Sequence, residues 1–150
     1  MMVAKGFNPK NIRGIDLISY SPWVDSGDMH KLPYGDGEFD AVVCGWTLSY
    51  SSHPDLAAME MMRVVKKGGV VAVGVEYCSD IGEVAKVTGY AIEDDYDRKL
   101  NSVNDLLGLF KDRLDHVYFS HDAPLRVSHS AAGVVGNPSS VAVVFSITQD

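Results

Sequence analysis

Apolar positions fall along this chain in short runs whose period switches between strand and helix. Ile12 to Ile18 is a brief apolar run broken by Gly14 and Asp16, with Pro22 close behind, and it predicts a buried strand over residues 11–17. Tyr34-Gly35-Asp36-Gly37 is a turn signal. It leads into Phe39-Asp40-Ala41-Val42-Val43-Cys44-Gly45-Trp46, nearly continuous in apolar side chains, which predicts a second buried strand. From Pro54 the spacing becomes helical, with Ala57, Met61, Val64 and Val65 at i, i+4, i+7 and i+8 on one face. Ser52 or His53 is placed to cap that helix, and Lys66-Lys67-Gly68-Gly69 offers cationic last-turn residues and a glycine stop. Val70 to Tyr77 is again unbroken, as a strand covered on both faces would be. Strand, helix and strand in that order imply a right-handed crossover between parallel neighbours.

The second half is less regular. Residues 78–100 are mixed and acidic around Glu93-Asp94-Asp95, and they predict a short helix near 80–86 followed by loop. Helical spacing returns in Ser102 to Leu114 at Val103, Leu106, Leu107 and Phe110, with Ser102 as N-cap and Asp105 in the first turn. A strand is predicted at 115–121. Pro124, Gly133, Gly136 and Pro138 mark Ala123–Ser140 as a long turn-rich connection. Val141 to Thr148 then reads as a closing strand antiparallel to its neighbour, because no helix-length pattern separates the two. The whole is one α/β domain spanning residues 1–150.

Composition narrows the partners. A chain of 150 residues buries roughly 68–70% of its unfolded surface, so its core needs no disulfide or metal staple. Twenty acidic against 13 basic residues give a formal charge of −7, which argues against a general nucleic-acid or anionic-membrane binder and leaves a small molecule as the default partner. Cys44 and Cys78 belong to no CxxC pair, which fits a reducing interior. With no apolar leader and no run of ~18 apolar residues, the chain reads as cytoplasmic. His116 and His121 differ by an odd number and point to opposite faces of a strand, so with Asp122 and His129 they predict no metal site. GxSxG, GxxxxGK[ST] and HExxH are all absent.

Four ordered blocks carry a resemblance. Gly14-Ile15-Asp16-Leu17, then Gly27-Asp28-Met29-His30-Lys31-Leu32-Pro33-Tyr34, then Gly37-Glu38-Phe39-Asp40-Ala41-Val42-Val43, then Glu60-Met61-Met62-Arg63-Val64-Val65-Lys66-Lys67-Gly68-Gly69 resemble the class I S-adenosylmethionine-dependent methyltransferases, in particular the type 11 group. The resemblance implies a Rossmann-like sheet, mostly parallel with an antiparallel C-terminal strand, and S-adenosylmethionine as cofactor. An Asp at the carboxyl end of a parallel strand lies where open α/β sheets bind ligands; Asp16 is thus the candidate for the ribose hydroxyls or, alternatively, a cap of the next turn. The family pattern points to Asp28 and Met29 for the adenine edge, with Asp28 as a plain turn carboxylate the other reading, and to Leu17 and Ile18 for the adenine face. Cys44, Gly45 and Trp46 would border the cofactor, while Tyr50 and His53 would face the acceptor. Trp46 or Tyr50 near a sulfonium would contribute on the order of 0.5–2 kcal/mol, the other reading being plain core or rim packing. Glu60 and Arg63 are expected to be a helix-surface pair worth a few tenths of a kcal/mol. No catalytic residue is assigned, because methyl transfer depends mainly on in-line positioning; His30 and His53 flank the expected cleft as optional bases or as capping residues.

The sequence also departs from the pattern. Thirteen residues precede Gly14, Gly6 is isolated among them, and no GxGxG occurs there, so the expected sheet is truncated at the N-terminus and lacks the turn that cradles the methionine end. The favoured outcome is a sheet that closes by pairing the Asp16 strand directly with the Cys44 strand, helped by a homodimer, since an open central edge exposes backbone donors and acceptors. Residues 17–27 leave no room for a helix, and Trp23 is expected to plug the sheet edge. The function this implies is methyl transfer to a small-molecule acceptor. The alternatives are a catalytically inactive binding or assembly module and an adenosine- or nucleotide-binding regulator.

Overall fold

Buried valines at 71, 73 and 75 alternate along β4 (Val65–Tyr77), the strand around which the molecule is built. The structure is a computed structural model describing residues 5–77, 100, 102–122, 127–130, 133–136 and 139–148. β3 (Phe39–Gly45) pairs parallel to β4, with Val42 opposite Val71 and Cys44 opposite Val73. On its other side β4 pairs antiparallel with β8 (Ser139–Ile147), which sets Val71 against Phe145, Val73 against Val143 and Val75 against Val141. β5 (Leu114–Asp122) lies antiparallel to β8, so the sheet runs β3-β4-β8-β5. The strand predicted at 141–148 is therefore antiparallel, as expected, and slots between β4 and β5.

That apolar face of the sheet makes one core with two helices. α1 (Pro54–Val64) buries Ala57, Ala58, Met61, Met62 and Val64, and α2 (Val103–Gly108) contributes Leu106. Leu106 and Phe110 are fully buried, and the Phe110 and Phe145 rings lie 4.8 Å apart. The opposite face of β4 is only half-buried at Val70, Ala72 and Gly74, so the expected cover on both faces is not met by the described residues.

Element ends depart from the sequence reading for local reasons. α1 does not use the glycine stop: Val65, already extended, is its C-cap and begins β4 at once. The glycines serve a bulge instead, between the Phe39–Val65 and Ala41–Val70 pairs, where Gly68 has φ 71° and a Cβ on Gly69 would stand 2.8 Å from the Lys66 carbonyl oxygen. The second helix is shorter than predicted, ending at Gly108, a poor helix former, and Leu109–Arg113 continue as turns. Its Ser102 cap is as expected, accepting from the Asp105 amide at 3.1 Å. The stretch 123–140 is not merely connection, since β6 (Val127–Ser130) and β7 (Gly133–Gly136) pair antiparallel within it. The helix expected near 80–86 lies outside the described residues.

The largest correction concerns the N-terminal third. The strand predicted over 11–17 is only β1 (Gly14–Asp16), preceded by a 3-10 turn at Pro9–Asn11, and none of its residues is buried. β1 pairs parallel with β2 (Val24–Ser26) in a separate two-stranded sheet. The direct pairing of the Asp16 strand with the Cys44 strand does not form; among the described residues β3 has β4 alone as partner. β3 is consequently an edge, not a buried strand, and Val43 is 60% exposed. Trp23, 63% exposed, plugs nothing; its backbone carbonyl accepts from Gly14 N. Side chains, rather than strand pairing, join the two sheets.

Candidate functional site

The carboxyl ends of β1, β2 and β3 carry the residues singled out from the sequence. Asp16 ends β1 with an exposed side chain, and its carbonyl accepts from the Gly27 amide at 2.8 Å, which sets the tip of β1 beside the turn holding Asp28. Leu17 and Ile18 follow, 71% and 61% exposed. The loop between β1 and β2 has no helix, and Ser26 Oγ braces it by donating to the Leu17 carbonyl at 3.1 Å.

Asp28 opens a tight turn. Its Oδ1 accepts from the His30 amide at 2.9 Å and faces His30 Nδ1 at 2.6 Å, while its carbonyl accepts from Lys31 N. Hydrogen bonds from the His30 backbone, then from its ring, hold the Asp28 carboxyl below the usual carboxylate range. Met29 is half-buried and packs on the core cluster. The other His30 nitrogen, Nε2, lies 2.7 Å from Ser51 Oγ, and Ser51 is buried.

β3 delivers the second loop. Cys44 is half-buried, and burial pushes its thiol up. Beside Gly45 a side chain would meet no atom within 4 Å. Trp46 has φ 56°, a left-handed conformation that a bulky residue adopts only when its surroundings enforce it. Here the Trp46 amide donates to the Gly74 carbonyl at 2.8 Å, and Thr47 Oγ1 donates to the Gly45 carbonyl at 3.0 Å. The Trp46 ring is 53% exposed and Tyr50 44%, so neither serves as core packing. His53 is the N-cap residue of α1 without a side-chain cap bond, and its ring meets the His30 ring edge-on at 6.2 Å.

The pair Glu60 and Arg63 proves to be more than the surface contact expected. All five guanidinium N–H groups are used: Arg63 donates to both Glu60 oxygens, to the Leu32 and Tyr34 carbonyls and to Asp36. Glu60 Oε2 also accepts from Leu32 N at 2.7 Å. The loop leading into β3 is thereby clamped to α1, and Arg63 pulls the Glu60 carboxyl down. Spacing along the helix reveals the pair but not its loop partners. The link from His30 to Ser51, across 21 positions, has no sequence signal either; only the two-residue offset of His30 from Asp28 hints at the Asx turn. Among the described residues no three potential metal ligands come together. Rings of His116 and His121 lie against Tyr118 and Phe119.

Together these features are the Rossmann-like architecture of the S-adenosylmethionine-dependent methyltransferases. The likeness to solved structures is broad. A methyltransferase from Methanosarcina mazei aligns over 93% of this chain and 84% of its own at TM-score 0.58 and 15% identity. One from Thermotoga maritima aligns over 82% and 63% at TM-score 0.58 and 19% identity. Residues 7–73 match the methyltransferase domain family, and S-adenosylmethionine is the cofactor that this match and the fold imply. Among curated relatives, the ubiquinone/menaquinone biosynthesis C-methyltransferase UbiE of Chromobacterium violaceum is 46% identical over 46 residues, 31% of this chain. The chain spans only 19% of that relative's length. No helix among the described residues is long and apolar enough to cross a membrane.

The strand ends suit the adenosine half of that cofactor. Asp16 and Asp28 are exposed acceptors, Leu17 and Ile18 offer apolar surface, and Asp28 keeps Oδ2 clear of protein partners among the described residues. The Gly14 amide at the start of β1 is already spent on the Trp23 carbonyl.

Proposed function

We propose that this domain binds S-adenosylmethionine at the carboxyl ends of β1, β2 and β3 and transfers its methyl group to a small-molecule acceptor. One observation carries the reading: the Gly27 to Asp16 hydrogen bond of 2.8 Å brings the tip of β1 against the Asp28 turn, so two exposed acids stand at neighbouring parallel strand ends, where open α/β sheets take their ligands. Asp16 would accept the ribose hydroxyls and Asp28 the adenine amino group, with Met29 beside the ring edge and Leu17 and Ile18 against its face. The bound cofactor supplies an activated methyl group; the chain's part is to orient it. Cys44 and Gly45 border the path to the acceptor, Trp46 and Tyr50 present aromatic faces to a cation, and His53 stands at the acceptor side. The quinone chemistry named for the UbiE relative supports a small-molecule acceptor, as does the charge of −7. A second copy pairing along the β3 edge belongs to the same reading, and a reducing, cytoplasmic setting is consistent with the free Cys44.

Calorimetric titration with S-adenosylhomocysteine tests it. Saturable heat in the wild type, weakened about tenfold or more in Asp16→Ala, about 1.4 kcal/mol, supports binding; no heat at millimolar ligand points to a non-enzymatic binding or assembly module. A second reading is an adenosine-binding regulator, favoured by the exposed acceptors at Asp16 and Asp28, which would face the adenosine half alone. Adenosine binding as tightly as the full thioether would decide for it.

A further inference from the structure

Asp28, His30 and Ser51 form a line of hydrogen bonds that crosses from one sheet to the other. Asp28 Oδ1 is 2.6 Å from His30 Nδ1, and His30 Nε2 is 2.7 Å from Ser51 Oγ. Ser51 Oγ also accepts from the His53 amide at 3.1 Å. An ionised carboxylate can only accept, so Nδ1 carries the proton and donates to Asp28. In that tautomer Nε2 is the acceptor facing the Ser51 hydroxyl at 2.7 Å, and both ring nitrogens have a partner. The connectivity is that of a serine-hydrolase relay, but Ser51 is only 3% exposed and its oxygen is already engaged by His53. No substrate can reach it as a nucleophile.

We propose instead that His30 is a positioning residue that sets the specificity of the candidate site for a 6-amino purine. The inference rests on the adenosine-binding reading given above. Both His30 donors, backbone and ring, converge on Oδ1 of Asp28, which fixes the rotation of a side chain that is 54% exposed. Oδ2 has no protein partner among the described residues, so a fixed, ionised acceptor is presented outward. A 6-amino group donates to it; the 6-oxo group of a hypoxanthine is an acceptor and is repelled. Ser51 anchors the ring from the far side, and it closes the 3-10 turn Leu48–Tyr50 that follows Trp46. The purine acceptor is thus referenced to the loop bearing Trp46 and Tyr50.

Two variants divide the contacts. His30→Asn keeps a donor where Nδ1 stands and gives up Ser51; His30→Gln reaches toward Ser51 and gives up the donor to Asp28. Binding of S-adenosylhomocysteine and S-inosylhomocysteine is compared by calorimetry, with thermal unfolding as the fold check. Wild type is expected to prefer the adenosyl compound about tenfold or more, His30→Asn to restore most of that ratio, and His30→Gln to bring it near unity. An unchanged ratio in His30→Gln overturns the positioning role while leaving the binding reading intact. If the wild type binds neither compound, the binding reading falls and this inference with it. Nitrogen NMR of the free wild-type imidazole gives a ligand-independent check: the Nδ1–H tautomer is expected, and Nε2–H overturns the proposal.

Discussion

Trp46 stands in a left-handed conformation, φ 56°, at the mouth of the candidate site. Such strain costs of order 1–3 kcal/mol, and a glycine there would relieve part of it while adding its own entropy cost. Trp46→Gly is therefore expected to raise stability by about 1 kcal/mol in urea unfolding and to weaken S-adenosylhomocysteine binding; loss of stability would mean that the ring packs more than its exposure shows. Asp28 makes a second prediction at this scale. Its folded carboxyl titrates below the ordinary value because His30 donates to it, so the stabilisation it brings is present above the unfolded value, about 3.9, and is lost as pH falls through the folded one. His30→Ala is expected to move the Asp28 midpoint, read by carboxyl NMR, upward. A midpoint that stays put would dissolve the link. Asp28 was legible in the sequence as a candidate, and its two-residue offset from His30 hinted at the turn; the Ser51 partner of His30 was not, since nothing in the local pattern reports what a side chain meets 21 positions away.

Elements owe their ends to contacts that the residue pattern does not contain. The Gly68-Gly69 pair reads as a helix stop, yet the helix has already ended at Val64 and the glycines admit a bulge against β3. A Cβ at Gly69 would crowd the Lys66 and Asp40 carbonyl oxygens at 2.8 and 2.9 Å. Gly69→Ala is expected to cost about 1–3 kcal/mol. Gly108, with no atom within 4 Å of such a Cβ, offers the contrast: Gly108→Ala should stabilise α2 by about 0.4–1 kcal/mol. Urea midpoints of the two variants moving the same way would refute the bulge argument. The clamp from Arg63 to the loop at Leu32–Asp36 shows the same limit, because a helix pattern identifies i, i+3 neighbours but not the loop that folds over them.

At the scale of the molecule the sheet is divided. Among the described residues β3, apolar enough to be internal, is an edge with Val43 60% exposed, and an edge of this kind invites another strand. Self-association is expected to follow: sedimentation should show a concentration-dependent dimer, and Val43→Lys should shift it toward monomer, a charge on an edge being a common guard against pairing. A wild type that sediments as monomer throughout would remove the second copy from the proposed function.

Periodicity and motif order determined the α/β class, β3, α1 and β4 in sequence, the parallel pairing of β3 with β4, and the two acids at strand ends. They did so because burial face, helix spacing and turn chemistry are local properties of neighbouring residues. Tertiary structure alone decided that β1 pairs with β2 and not β3, that β8 enters between β4 and β5, that His30 reaches Ser51 and that Arg63 clamps the loop at Leu32–Asp36 to α1. Those outcomes depend on which backbone edges and side chains meet in space, and distance along the chain carries no record of that.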